Sequence, residues 1–292
     1  MERKLFILNN PTSGGRSRNQ RVMREVVHFA EANRLDFKLF ETTQVGHARH
    51  LVDSHFGKDF TDLVIVGGDG TFNEAINGLT LDVPVTFIPA GTGNDFVKNL
   101  PIGKKPEEQL APLTRSNLKR MDVGICNGRK FLNGIGIGFD GQIVEDMAKR
   151  RVPLLTGHAK YYYHVLGILA TYKAQKFDYQ LDESAHKQDL ILMTIGNGTT
   201  FGGGFKLMPN AKIDDGLLEI CTIGPISGLR RFLNIHKLSD GTHGSMSAVS
   251  FHQATSVRVA ANPLLFAHMD GERIGNPTFD IGILPGHLLV RI

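Results

Sequence analysis

The chain has little cysteine, no long apolar run and no excess of charge of one sign. Its 292 residues hold only Cys126 and Cys221. Two cysteines so far apart make neither a disulfide framework nor a zinc-ligand spacing, so inert buried thiols in a reducing cytoplasm are expected. No apolar stretch approaches the roughly 18 residues that a membrane-spanning helix needs. The apolar run after Met1-Glu2-Arg3-Lys4 stops at Asn9, too soon for the core of a secretory signal. The charge balance, 33 Lys and Arg against 29 Asp and Glu, leaves only +4. That permits attraction to an anionic lipid or nucleotide. With no basic stripe and no nucleic-acid motif, nucleic acid is excluded as a partner. Lys149-Arg150-Arg151 and Arg230-Arg231 read as solvated helix faces. The 12 histidines show no metal-ligand spacing. A Gly-Lys-Ser/Thr phosphate loop, internal repeats and low-complexity segments are missing too.

What is present is ordinary globular composition, 41% hydrophobic and 21% charged, in a chain long enough for two domains. From residue 4 to about 120, strands predicted at 4–8, 36–41, 62–67 and 83–88 alternate with helices at 18–33, 46–56, 71–79 and 94–99. Such alternation implies an α/β domain, residues 1–120, with a parallel sheet covered by helices. After Met121 short β-rich runs dominate, at 121–126, 130–138, 177–183, 189–196, 217–223, 255–260 and 264–269. Helices are predicted at 140–149, 158–174 and 226–238. Residues 121–278 therefore read as a mainly antiparallel β-sandwich, and 279–292 as two strands around Pro285-Gly286.

The most informative stretch is 63–79. Leu63-Val-Ile-Val66 is a buried-strand run, and Gly67-Gly68 allows a sharp turn and a close approach by another group. Asp69 sits at the tip, and Thr71 with Glu74 has capping-box spacing, which predicts a helix start there. A strand, a glycine turn and a helix N-terminus make an anion site, and an aspartate adds a handle for a cation. In a parallel sheet, the strand ending at Pro89 would bring Gly91-Thr92-Gly93-Asn94-Asp95 to the same edge. Taken alone, Asp95 is better explained as a helix cap.

Gly67-Gly68-Asp69-Gly70-Thr71 with Asn73 and Glu74, followed by Gly91-Thr92-Gly93-Asn94-Asp95-Phe96, resembles the diacylglycerol kinase catalytic-domain family. That family includes bacterial soluble lipid kinases and the sphingosine kinases. More distantly the chain is similar to NAD kinases and phosphofructokinases, which share the first turn. Asn10-Pro11-Thr12-Ser13-Gly14, Gly203-Gly204 with Pro209, Ala211 and Asp215-Gly216, and Asp270-Gly271-Glu272 extend the resemblance from about residue 5 to the C-terminus.

The resemblance implies an ATP-dependent lipid kinase, most simply one converting diacylglycerol to phosphatidic acid. Another lipid alcohol, NAD, or a non-catalytic lipid- or nucleotide-binding role are the alternatives. It implies that Asn10, Pro11, Thr12, Ser13, Gly14, Thr42, Gly67, Gly68, Asp69, Gly70, Thr71, Phe72, Asn73 and Thr92 contact ATP. Relatives commonly carry a lysine directly after the loop glycine, where this chain has Gly15 and then Arg16. It implies Mg²⁺ at Asp69 with help from Asp95, and a second, structural Mg²⁺ on the Asp215 carboxylate and the carbonyls of Lys212 and Leu217. Glu272 is the expected general base, with Asp270 the close alternative; on a strand the two would share a face. Lys160 is implied to tie the aspartate network to the second domain. The resemblance further implies return of the C-terminal segment to the first domain. It also implies a homodimer, cytoplasmic and peripheral at the inner membrane surface.

Overall fold

A computed structural model describes residues 3–103, 105–149, 157–169, 171–275 and 277–292, with backbone alone at 106 and 157–162. The chain divides into two units, Met1–Met121 with Gly286–Ile292, and Asp122–Pro285.

The first unit alternates strands and helices: β1 Lys4–Asn9, α1 Arg16–Ala32, β2 Asp36–Glu41, α2 His47–His55, β3 Asp62–Gly67, α3 Asp69–Gly78, β4 Val85–Pro89 and α4 Pro106–Leu110. The strand order is β2-β1-β3-β4, all parallel, and the end of β16 (Phe279–Arg291) joins beside β4 through Val290↔Val85. Every residue of β3 is buried, as a central parallel strand covered on both faces requires. α1 supports one face with Met23, Val26 and Ala30. The chain leaves β1 toward β2 on one side, then returns past it to place β3 on the other. The ends of β1 and β3 therefore flank the point where the winding reverses, where open α/β sheets bind ligands.

The strand β5 Leu118–Cys126 leads into the second unit. There follow β6 Arg129–Phe131, β7 Gly134–Gly138, α5 Phe139–Lys149, α6 Gly157–Leu169, β8 Gln175–Leu181, β9 Ser184–Leu190, β10 Leu192–Gly196 and β11 Leu218–Ile223. The unit closes with α7 Gly228–Asp240, β12 Val249–Ala254, β13 Ser256–Val259, β14 Ala267–Met269, β15 Glu272–Ile274 and the first part of β16. One antiparallel sheet runs β12-β11-β10-β7-β14-β15, and the other joins β16, β13, β8 and β9. Along β11, Leu218 and Ile220 point into the core between the sheets, while Cys221 and Ile223 point to the layer that includes Ile235 and Leu238 of α7. This period-2 alternation is what a two-layer antiparallel sandwich needs.

Several predicted elements differ. The helix expected from Thr71 begins at Asp69, because Gly68 supplies an extended, uncapped entry. The helix expected over 94–99 is a 3₁₀ turn, Phe96–Asn99. The run 130–138 is split by an irregular step between Phe131 and Gly134 into β6 and β7. Of the helix predicted over 158–174, Gly157–Leu169 is helical and 171–174 is not. The two strands expected around Pro285-Gly286 are one strand, β16, which passes through Gly286 at φ 57°.

Candidate functional site

Three loops are stitched together at the strand ends of the first unit. The Asn10 N–H donates to Val66 O at 3.0 Å, joining the β1 and β3 ends. Ala90 and Gly91 donate to Gly67 O at 2.7 and 3.1 Å, joining the β3 and β4 ends. Two glycines make the approach possible. A Cβ on Gly91 would lie 2.7 Å from Gly68 Cα, and one on Gly14 would lie 2.0 Å from Ala90 O. Gly14 also sits at φ 66°, a left-handed value that favours glycine.

Side chains brace the same edge. Asn10 Nδ2 donates to Thr71 Oγ1 at 2.9 Å, and its Oδ1 accepts from Thr12 N and Oγ1 at 3.2 and 2.9 Å. Asn19, buried on α1, donates to Asn9 Oδ1 and Asn10 O. The Thr42 N–H donates to Asn9 O at 2.9 Å, placing this buried threonine beside the β1 end. Pro11 and Ser13 are half-buried in the first loop, and Thr92 is exposed in the loop after β4. The side chains of Phe72 and Asn73 turn into the core instead: Phe72 packs edge-on against Phe87, and both are buried.

Asp69 is the centre of this edge. As the first residue of α3 it reaches across to accept the N–H groups of Asp95 and Phe96, each at 3.0 Å. Asp95 is itself buried, with Oδ1 2.5 Å from Lys98 Nζ. The backbone of Gly93 passes the two carboxylates; a Cβ there would meet Asp69 Oδ2 at 3.4 Å and Asp95 Oδ2 at 4.0 Å. Among the described residues no three Asp, Glu, His or Cys side chains form a metal cluster. One or two carboxylates suit a hard cation that keeps water and arrives with phosphate oxygens.

The Thr71 and Glu74 side chains do not form the capping box. Thr71 Oγ1 is taken by Asn10, and Glu74 accepts Gly46 N at 2.8 Å and Ala48 N at 3.1 Å. Glu74 thus caps α2 rather than its own helix, a cross-helix role that spacing along the chain does not reveal.

In the second unit, Asp270 (φ 49°) and Gly271 (φ 83°) form the tight turn between β14 and β15, with Met269 paired to Glu272. Positive φ at both central residues is the hairpin geometry that Asp-Gly favours. Asp270 and Glu272 therefore do not alternate along one strand. The Asp270 carboxylate accepts the N–H groups of Leu132, Asn133 and Gly134 at 2.8–2.9 Å, so it braces the step between β6 and β7. Glu272 opens β15, one-third exposed, and pairs with Arg129.

Next to this hairpin lies a pair that sequence reading missed. His268 Nε2 is 2.8 Å from Asp140 Oδ2, with both side chains buried. Burial pushes the imidazole pKa down, the nearby Asp140 charge pushes it up, and the result lies above the usual histidine value. Gly136 makes the room: a Cβ there would be 2.4 Å from Asp140 Oδ2.

The loop containing Lys212, Asp215 and Leu217 is a closed turn. Asp215 Oδ1 accepts Leu217 N–H at 3.1 Å, and buried Asp122 accepts Gly216 N–H at 2.7 Å. The loop thus presents the exposed Asp215 carboxylate, a donor type that suits a hard cation. The Lys160 side chain lies outside the described residues. An apolar hollow in this unit is lined by Phe139, Ile143, Val165, Leu169, Phe205 and Leu207, with Asp140 on its wall. The cysteines take no part: burial pushes the Cys126 thiol up to about 11 and the Cys221 thiol up to about 12. Both stay protonated near neutrality.

The chain matches two family models, "Diacylglycerol kinase catalytic domain" over residues 4–126 and "YegS C-terminal NAD kinase beta sandwich-like domain" over 133–292. It is 31% identical to a Chromohalobacter salexigens protein named "Probable lipid kinase YegS-like", over 76% of this chain and 73% of the relative. It is 26% identical to the diacylglycerol kinase of Bacillus subtilis, over 97% and 92%. A crystal structure of a Bacillus anthracis str. Sterne diacylglycerol kinase superposes with TM-score 0.74 at 24% identity, covering 99% of this chain and 96% of that one. An Archaeoglobus fulgidus NAD kinase solved with ATP shares the fold alone, with TM-score 0.56 at 13% identity and coverage of 99% and 93%.

Proposed function

The chain belongs to the diacylglycerol kinase and YegS-like lipid kinase family, and from that premise we propose that it transfers the γ-phosphate of ATP to diacylglycerol, giving phosphatidic acid. The observation that carries this reading is the pair of hydrogen bonds from Asp95 and Phe96 to Asp69. They join the α3 start to the loop after β4 at the winding reversal of the sheet, where a phosphate chain is expected.

In this reading the backbone of Gly67 to Thr71 and the loop Asn10 to Gly14 cradle the phosphates. Asp69, supported by Asp95, would hold Mg²⁺, which when bound neutralises charge on the phosphate oxygens. A second Mg²⁺ at Lys212, Asp215 and Leu217 would be structural. Glu272 takes the proton of the attacking lipid hydroxyl, because its carboxylate is partly exposed while that of Asp270 is committed to three backbone donors.

The test is product analysis after incubation with labelled ATP and Mg²⁺ across diacylglycerol, a long-chain amino alcohol and NAD. Label in phosphatidic acid supports the reading. Label in another lipid keeps the chemistry and changes the acceptor. Label in NAD, or in nothing, rejects it.

A further inference from the structure

Helix α7 carries apolar side chains on two opposite faces. Ile235 and Leu238 face inward against the layer that holds Cys221 and Ile223. Leu229, Phe232 and Leu233 face outward, 73%, 49% and 64% exposed. Their i, i+3, i+4 spacing puts them in one stripe. The stripe is not core that has come loose, because the helix is clamped from its other side. Arg231 donates to the backbone carbonyls of Ile226 at 2.8 Å, Leu169 at 2.9 Å and Tyr172 at 2.6 Å. The clamp fixes the rotation of α7 and keeps the stripe turned to the outside.

We propose that this outer face of α7 is the surface by which the protein lies on an anionic lipid bilayer. Charge selects the occupant. Arg230 is exposed and Lys237 is half-buried, whereas Asp240 at the C-terminal end is the one acidic residue of the helix. Leucines and a phenylalanine flanked by cations form the pattern of a helix lying in a membrane interface. A two-fold contact with a second copy would instead bring the same cations of both chains together. The inference rests on the lipid-kinase reading for why a bilayer is approached, but binding itself requires no turnover.

The chain has no tryptophan, so Phe232→Trp gives a single fluorescent reporter inside the stripe. It is titrated with phosphatidylcholine vesicles with and without phosphatidylglycerol, and sedimentation of the wild type is compared with that of the Leu229→Ser/Leu233→Ser double variant. The expected result is a blue shift with anionic vesicles and about tenfold weaker sedimentation of the double variant. Its thermal melt should be unchanged, since both side chains are exposed. No blue shift, or equal sedimentation of both proteins, overturns the proposal. So does conversion of a dimer to a monomer by the double variant in light scattering, which would assign the face to a second copy. Phosphorylation of short-chain diacylglycerol in detergent micelles separates the two readings. Vesicle binding by a protein that labels no lipid would leave the docking face standing and reject the kinase.

Discussion

The carboxylate of Asp69, on α3, accepts the backbone N–H of Asp95, in the loop after β4, at 3.0 Å. With the second bond from Phe96, one side chain sets the spacing between two loops that the sequence separates by 26 residues. Asp69 is thus a positioning group as well as a candidate cation ligand. Asn offers one acceptor oxygen where Asp offers two, and Ala offers none. Asp69→Asn is expected to lose about 1–2 kcal/mol of stability and Asp69→Ala about 2–3 kcal/mol. Both should lose ATP-dependent turnover by at least about a hundredfold. Denaturant melts and steady-state kinetics check this; variants as stable as the wild type would remove the positioning role.

Gly14 and Gly15 both have positive φ, at 66° and 94°, but only Gly14 is hemmed in. An added methyl at 14 would strike Ala90 O, whereas nothing lies within 4 Å at 15. Gly14→Ala should cost about 2–3 kcal/mol and Gly15→Ala about 1 kcal/mol. Calorimetric titration with ATP should show a larger affinity loss for Gly14→Ala. Equal effects would mean that the close approach to Ala90 does not matter.

Asp270 and Glu272 are two residues apart and should fail in different ways. Asp270→Ala strands three backbone N–H donors and should destabilise the protein by about 2–4 kcal/mol. Glu272→Gln loses only a partly exposed ion pair, worth about 0–1 kcal/mol, but should lower turnover by about 10²–10⁴. Thermal melts beside kcat values read both effects. A stable Asp270→Ala with full loss of turnover would exchange the two roles.

Arg291, at the end of β16, forms a buried ion pair with Asp62 at the start of β3 and donates to Arg115 O at 2.7 Å. Arg291→Ala leaves a buried carboxylate without its cation and should cost about 3–5 kcal/mol. Urea unfolding measures this, and a loss below about 1 kcal/mol would show that the pair does not hold the C-terminal strand.

The fold class was legible because its signals are local. The buried runs of β1, β3 and β4, the half-exposed edge strand β2 and the change to short β-rich segments after Met121 follow directly from apolar pattern and turn residues. The strand β9 was not legible: Ser184-Ala-His-Lys-Gln-Asp189 is a mostly exposed edge with no alternation to find. β12 was missed for a related reason, since only its end residues Val249 and Ala254 are buried and the four between are exposed or half-buried. Within the site, Asp69 and Gly14 could be singled out from motifs and glycines. The bonds that Glu74 accepts from the α2 start and Asp122 accepts from Gly216, and the pairing of Asp140 with His268, could not, because each joins residues distant in sequence. Two faint signals were available: glycine at 136 inside a strand, and an acidic residue on α3 without a basic partner at helical spacing.

The proposed reaction is phosphoryl transfer from ATP to a lipid hydroxyl, with Asp69 as the cation ligand and Glu272 as the base. The most direct measurement is transfer of labelled γ-phosphate into diacylglycerol in mixed micelles with Mg²⁺, by the wild type, Asp69→Ala and Glu272→Ala. The account predicts labelled phosphatidic acid from the wild type and a loss of at least about a hundredfold in each variant. A wild type that binds ATP but labels no lipid, or a Glu272→Ala variant with full activity, would contradict it.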